Sequence, residues 1–125
     1  SIGYASDMSK FGSGKHLTAF TLDWSSDYVR AARNALAGTW KPEVHWDGLA
    51  AGVVIMAPYN DQIPAETQAA LKQLEADIGS GKVHPYAGEL KDQAGTVRVE
   101  AGSVLSDPDI RGMDWFVAGM IGNLG

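Results

Sequence analysis

Two acidic residues stand directly after the first two predicted strands of the chain. Asp7 and Met8 follow the first apolar segment, and Asp23 and Trp24 follow the segment Leu17–Leu22. A carboxylate accepts hydrogen bonds from vicinal hydroxyls such as those of a ribose, and an indole offers a flat apolar face to a base. Ligands of open α/β sheets bind beyond the carboxyl ends of the strands. These four residues are therefore the predicted ligand-binding residues, with helix capping for Asp7 and core packing for Trp24 as the structural alternatives.

Other chemistry-bearing patterns in the chain are weak. The segment GSGKH has Ser9 where a phosphate loop needs its first glycine and His16 where it needs Ser or Thr. The three histidines have no metal-ligand spacing, so we expect surface or capping roles for them. The chain contains no cysteine and no G-x-S-x-G nucleophile elbow. We therefore predict no catalytic residue, no metal site and no cofactor.

Composition narrows the classes of partner. The 125 residues carry a formal net charge of −5, which gives no basic footprint for nucleic acid. The longest apolar run, LAAGVVIMAP, is much shorter than the roughly 18 residues of a membrane-spanning helix. The 45% hydrophobic and 20% charged content is that of a globular protein.

The elements that would position these residues alternate between strands and helices. An α/β sheet is therefore predicted for the first eighty residues, with a β-hairpin and an amphipathic helix appended. The last helix is expected from a capping box at Ser106 and from apolar residues at helical spacing. The predicted strands are 2–5, 17–22 and 53–57, and the predicted helices are 28–37, about 64–78 and 110–124. The second helix is expected to bury Leu71, Leu74 and Ile78. The hairpin arms are 83–90 and 96–101, around a turn that begins at Asp92.

An ordered set of segments resembles the C-terminal part of the basic membrane protein (BMP) family, the substrate-binding proteins of ABC importers for nucleosides and related purine compounds. The resemblance extends over essentially the whole chain, and its segments are GYASDMSKFG, LTAFTLDW, LAGTWKPEVHWDGLAAGVVIMAPYN, SGKVHPYAGELKDQAGTVRVEAG and LSDPDIRGMDWFVAGMIG. It implies a type I periplasmic-binding-protein fold, in which two Rossmann-like lobes close on a ligand. The chain is then expected to be a C-terminal portion, residues 1–125, that lacks the N-terminal lobe and includes segments of one or both lobes.

Two positions depart from the pattern of this family. The family often reads G-x-D-x-D after the first strand, whereas this chain has Ala5 at the first acidic position and keeps only Asp7. Purine-nucleoside members carry a Lys shortly after the second strand, and Asp23 and Trp24 occupy that neighbourhood here. The resemblance implies a purine-nucleoside-like ligand, and these exchanges predict an altered preference within that class.

The resemblance also implies partners and a location. The expected partners are the small-molecule ligand, an ABC permease and the missing N-terminal lobe or a complementary chain. The expected location is periplasmic, or lipid-anchored to the outside of the plasma membrane. Two alternatives remain open from the residues, namely a small nucleoside-processing enzyme and an interaction module that assembles with a complementary chain.

Overall fold

The computed structural model describes residues 1–12 and 14–122 of the chain. These residues form two compact units, Ser1–Ser80 and Gly81–Gly125. The first unit contains three strands and two helices, and the second contains two short strands and one short helix. The expected mixed α/β composition is therefore confirmed. No helix within the described residues is long and apolar enough to cross a membrane.

The first unit is built on a three-stranded mixed sheet. Its strands are β1 (Ile2–Ala5), β2 (Thr18–Leu22) and β3 (Val54–Met56), in the spatial order β1-β2-β3. β1 and β2 run parallel, as expected for an α/β sheet, and β3 pairs antiparallel to β2. Apolar burial concentrates in this sheet, because Ala19 and Val53 are almost completely inaccessible to solvent.

Two helices flank the strands of the first unit, α1 (Ser25–Leu36) and α2 (Ala65–Gly79). α1 begins three residues earlier than predicted, and its N-cap residue is Trp24 instead of one of the following serines. The predicted burial of the apolar face of α2 is wrong, since the helix has no buried residue and Leu74 is 44% exposed. Leu71 and Ile78 on the same face are half-buried, so the described residues cover this face only in part.

The second unit contains the predicted hairpin in a shorter form. Its strands are β4 (Leu90–Lys91) and β5 (Val97–Val99), which pair antiparallel. The turn between them is held by buried Asp92, whose carboxylate accepts hydrogen bonds from the backbone N–H groups of Ala94 and Thr96 and from the Arg98 side chain. Because one carboxylate bonds to backbone N–H groups of the turn and to a side chain of the second strand, the hairpin forms although its strands are only two and three residues long.

The prediction of a long C-terminal amphipathic helix is wrong. Helix α3 covers only Asp107–Arg111, and it starts as expected at Ser106, whose hydroxyl accepts the Asp109 N–H. The chain after Gly112 instead lies along the hairpin, where the Ala118 N–H donates to the Lys91 carbonyl at 2.8 Å. Backbone pairing with the hairpin thus replaced helical hydrogen bonds at residues 116–118, whereas the N–H groups of Met113 and Met120 donate to carbonyls three residues earlier in local turns. Leu124, also predicted in this helix, lies outside the described residues.

Candidate functional site

The turn after β1 directs Asp7 back toward the beginning of β2. Ala5 ends the strand in the left-handed region with φ 57°, which reverses the chain. The Asp7 carboxylate accepts the Ser9 N–H at 2.9 Å, and its Oδ1 lies 3.5 Å from His16 Nε2. The hydrogen bonds from the Ser9 backbone and hydroxyl hold the pKa of Asp7 below its ordinary value. Asp7 is therefore an ionised acceptor at neutral pH.

A polar pocket of about 510 Å³ opens beside this carboxylate. It lies between the loop after β1, the residues preceding β2 and the loop after β3. Its polar side chains are those of Asp7, Ser9, His16, Asn60, Asp61 and Gln62. The apolar surfaces of Leu17, Pro58 and Tyr59 complete the lining. The volume falls in the range of small-molecule pockets, which is a few hundred to about 1,000 Å³.

Hydrogen bonds between β2 and the loop after β3 fix the far wall of this pocket. The Asn60 side chain donates to the His16 carbonyl at 2.7 Å, and the Asn60 N–H donates to the Leu17 carbonyl at 2.8 Å. The Thr18 hydroxyl donates to the Ala57 carbonyl at 2.9 Å. Because Asn60 is held by these bonds, Asp61 and Gln62 follow at defined positions on the rim.

His16 is the most buried polar side chain of the pocket. It is only 8% exposed, and its Nε2 atom has no hydrogen-bond partner although Asp7 lies close by. The expected surface or capping role is therefore wrong for this histidine. Its position two residues before β2 gives no sequence signal of burial, because the His16 ring packs against Gly3, which lies in the neighbouring strand β1.

Tyr59 forms the edge of the same pocket. Its hydroxyl donates to the Glu75 carboxylate of α2. Burial, together with the bond to this acidic group, raises the pKa of Tyr59 to about 12. The phenol is therefore neutral, and it links the pocket wall to the helix. Sequence reasoning did not single out Tyr59, Asp61 or Gln62, since they follow a strand that runs opposite to β2.

The other three predicted ligand-binding residues do not line this pocket. Met8 is 48% exposed, and its sulfur accepts a hydrogen bond from the Ser6 hydroxyl at 3.8 Å. Asp23 and Trp24 lie at the carboxyl end of β2, as predicted, and Trp24 is 36% exposed. The hydroxyl and N–H of Ser25 donate to Asp23 and lower its pKa. The binding roles of these residues stay predictions.

A second group of polar side chains comes together only in the tertiary structure. Potential metal-ligand atoms of Asp27, His45 and Asp47 lie within 4.8 Å of one another. The Arg30 guanidinium, however, donates to Asp27 and lies 2.8 Å from His45 Nδ1. Arg30 already neutralises Asp27 and contacts His45, so the arrangement fits a surface ion-pair network better than a metal site.

Comparisons with known proteins connect the chain to a binding protein. No protein-family model matches the chain. The chain is 37% identical over 119 residues to a purine-binding protein of Brucella abortus (strain 2308). This alignment covers 95% of the chain but 34% of the relative, so the chain spans about a third of the length of that protein.

Similarity to solved structures supports the fold. It is a transcriptional activator of the comK gene from Bacillus halodurans, with a TM-score of 0.55 and 20% sequence identity. The superposition covers 67% of this chain and 30% of that protein. At this identity the likeness concerns the fold alone, and it agrees with an α/β architecture.

Proposed function

We propose that this chain is part of the solute-binding component of an ABC importer of the BMP family and that it binds a purine nucleobase or nucleoside. The observation that carries the proposal is the 37% identity, over 95% of the chain, to a protein named for purine binding. The polar pocket beside Asp7 supports it, because hydrogen-bonding groups and apolar surfaces together suit a small polar heterocycle.

The ligand is proposed to occupy one of two alternative sites in this chain, which lie at opposite ends of β2. The pocket beside Asp7 supplies a carboxylate, a buried imidazole and an amide. Asp23 and Trp24 supply a second carboxylate and a half-exposed indole where β2 ends. Trp24 is proposed to stack on the ligand, as a planar aromatic face favours another planar ring.

The proposed mechanism is binding by closure of two lobes of a type I periplasmic-binding-protein fold. A ligand that contacts both lobes stabilises the closed population by its differential affinity for that state. The segments that complete the cleft belong in this proposal to the rest of a longer protein, since the relative is about three times as long as the aligned region. The proposed partner after closure is an ABC permease, and the proposed location is the periplasm or the outer face of the plasma membrane.

Isothermal titration calorimetry on the full-length protein tests this function. We expect binding of adenine or of a purine nucleoside with no product formed, as judged by chromatography of the recovered ligand. Trp24→Ala is expected to weaken binding about 10-fold or more, and Trp24→Phe to retain most of it. Trp40→Ala is the matched control, because Trp40 is also exposed but does not follow a strand.

The outcomes separate the alternatives. Failure of every purine and nucleoside to bind the folded protein would sink the proposal. Conversion of a nucleoside to a product would favour the nucleoside-processing enzyme instead. Unchanged affinity in Trp24→Ala would remove the stacking role and leave the pocket beside Asp7 as the remaining candidate.

A further inference from the structure

His16 is a buried titratable group in contact with the carboxylate of the pocket. The residue is 8% exposed, and its Nε2 atom has almost no contact with solvent. Within residues 1–12 and 14–122, this atom has no hydrogen-bond partner. It lies 3.5 Å from Asp7 Oδ1, beyond the roughly 2.7–3.2 Å of an N–H···O hydrogen bond. A buried nitrogen without a partner is unfavourable, so a change that gives Nε2 a hydrogen bond is favoured.

Proton uptake by His16 supplies that hydrogen bond. A neutral imidazole carries a proton on one of its two nitrogens, whereas an imidazolium carries one on each. The charged ring therefore always presents an N–H at Nε2, next to the Asp7 carboxylate. A hydrogen bond between two charged groups is shorter and about twice as strong as one between neutral groups. A movement of about half an ångström brings the contact to the usual length.

Asp7 does not titrate together with His16. Hydrogen bonds from the Ser9 backbone and hydroxyl, followed by the charges of His16 and Lys10, hold the pKa of Asp7 below its ordinary value. Its carboxylate is therefore ionised above about pH 5, whereas histidine ordinarily changes its charge between about pH 5 and 8. In this range the charge that changes at the contact is that of His16.

The other titratable groups near this contact lie on three neighbouring segments. The cations on the Asp7 loop and on the segment before β2 are Lys10, Lys15 and the Ser1 ammonium, which donates to the Lys15 carbonyl. The loop after β3 contributes Asp61 and the neutral phenol of Tyr59. Lysine side chains and carboxylates keep their charge between about pH 5.5 and 7.5, so these side chains add no pH dependence of their own.

A ligand and the imidazolium compete for the Asp7 carboxylate. Nε2 itself is enclosed, whereas the side chain of Asp7 is 38% exposed and lines the pocket. A protonated His16 shares Oδ1 and neutralises much of the negative charge, so the N–H and O–H groups of a ligand bind Asp7 less strongly. A neutral His16 leaves the charged carboxylate to the ligand.

We propose that His16 is a positioning residue for Asp7 and makes ligand binding pH-dependent, because its protonated ring draws the carboxylate away from the ligand. The inference rests on the proposed purine-binding function and deepens it by naming the regulation of the pocket beside Asp7. A hydrogen bond to a charged group exceeds one to a neutral group by about 5- to 10-fold in the equilibrium constant. Since protonation is incomplete at both ends of the range, affinity is expected to fall about 3- to 10-fold from about pH 7.5 to 5.5.

Nuclear magnetic resonance on the ligand-free, full-length protein tests the contact itself. The Ser9 N–H donates to Asp7 Oδ1 at 2.9 Å, so its resonance responds to a change at that carboxylate. We expect this resonance to shift between about pH 7.5 and 5.5 although Asp7 stays ionised. The shift should disappear in His16→Gln, whose amide is uncharged at either pH. His45→Gln is the matched control and should keep the shift, because His45 is exposed and lies outside the pocket.

Calorimetry with adenine and with adenosine at the same two pH values tests the effect on binding. The parent protein and His45→Gln should bind the ligand about 3- to 10-fold more weakly at the lower pH. His16→Gln should bind it equally well at both. Asp7→Asn is the second variant if His16→Gln fails to fold, because the Asp7 side chain is partly exposed. It should bind more weakly and lose most of the pH dependence.

The results distinguish this inference from the proposed function. A Ser9 resonance that does not move with pH, or that moves equally in His16→Gln, would overturn the inference. Purine affinity that is equal at both pH values in the parent protein would also overturn it, and would favour the Trp24 end of β2 as the ligand site. If neither adenine nor any nucleoside binds, the proposed function fails, and the Ser9 resonance still decides whether His16 acts on Asp7.

Discussion

Gly3 controls the position of the Asp7 loop, and a single methyl group there should disturb the pocket. A Cβ at position 3 would lie 2.7 Å from the Ser6 carbonyl oxygen, 2.8 Å from Ala19 Cβ and 3.0 Å from His16 Cε1. Non-bonded carbon atoms rest at about 3.5–4.0 Å, so the neighbours must move by several tenths of an ångström. Ser6 directly precedes Asp7, so movement of the Ser6 carbonyl displaces the carboxylate that accepts the Ser9 N–H.

The magnitude follows from the cost of overpacking. Inserting a methyl group into such a site costs about 1–3 kcal/mol, while replacing Gly with Ala in an extended segment returns about 0.5–1 kcal/mol. Gly48→Ala is the matched control, because no atom lies within 4 Å of its added Cβ and its φ is outside the left-handed region. The two variants should therefore differ by about 1–3 kcal/mol in the free energy of unfolding.

Urea unfolding of the full-length protein, followed by tryptophan fluorescence, measures this difference. With a slope of about 2 kcal/mol per molar urea, the midpoint of Gly3→Ala should lie about 0.5–1.5 M below that of Gly48→Ala. Adenine affinity should fall in Gly3→Ala and not in the control. Equal midpoints and equal affinities in the two variants would refute the close packing of Gly3 against the Asp7 loop and His16.

Three further variants probe other parts of the chain. The pKa of Asp92 is lowered chiefly by the Arg98 hydrogen bond. The ionised carboxylate therefore contributes its full stabilisation of the fold above about pH 4, and this stabilisation is lost as the pH falls through the lower folded pKa. Melting temperatures measured between pH 2 and 7 should fall less steeply with acid in Asp92→Asn than in the parent protein. Tyr59 has a pKa of about 12, so its neutral form stabilises the fold below about pH 10, and this stabilisation is lost as the pH rises through 12. Ultraviolet titration should show one late-ionising tyrosine that is missing in Tyr59→Phe. Four tyrosines ionising together near pH 10 would contradict this expectation. Thr18→Val keeps the shape of the side chain but removes the bond to the Ala57 carbonyl, so chemical denaturation should show a loss of about 1 kcal/mol, and no loss would mean that this bond does not hold the pocket wall.

Local sequence patterns predicted the elements whose stability is local. The apolar runs gave the strands of the first unit, and helix α1 was placed to within three residues at its start. The cap at Ser106 and the turn at Asp92 were also recognisable, because short polar side chains bond to backbone groups only a few residues away. Asp23 and Trp24 lie at the strand end where the sequence places them.

Periodicity misled where a competing backbone partner was available. Residues 110–120 have helical spacing, but the chain after Gly112 pairs with the hairpin and α3 stops at Arg111. Helical spacing shows only which residues are apolar. It does not show that the open edge of a nearby strand can supply the backbone hydrogen-bond partners that a helix would otherwise provide. In α2 the same spacing predicted burial, but the described part of the first unit covers this face only in part, so Leu71 and Ile78 are half-buried and Leu74 is exposed.

The sequence by itself determined the strands, the first helix, the acidic and aromatic residues at the strand ends, and the resemblance to purine-binding solute receptors. Only the tertiary structure decided that Asp7 turns back onto His16, that β3 runs antiparallel to β2, and that Tyr59, Asp61 and Gln62 complete a pocket. The physical reason is that these groups are brought together by a reversal at Ala5 and by strand pairing across more than thirty residues, and neither leaves a periodic trace in the chain.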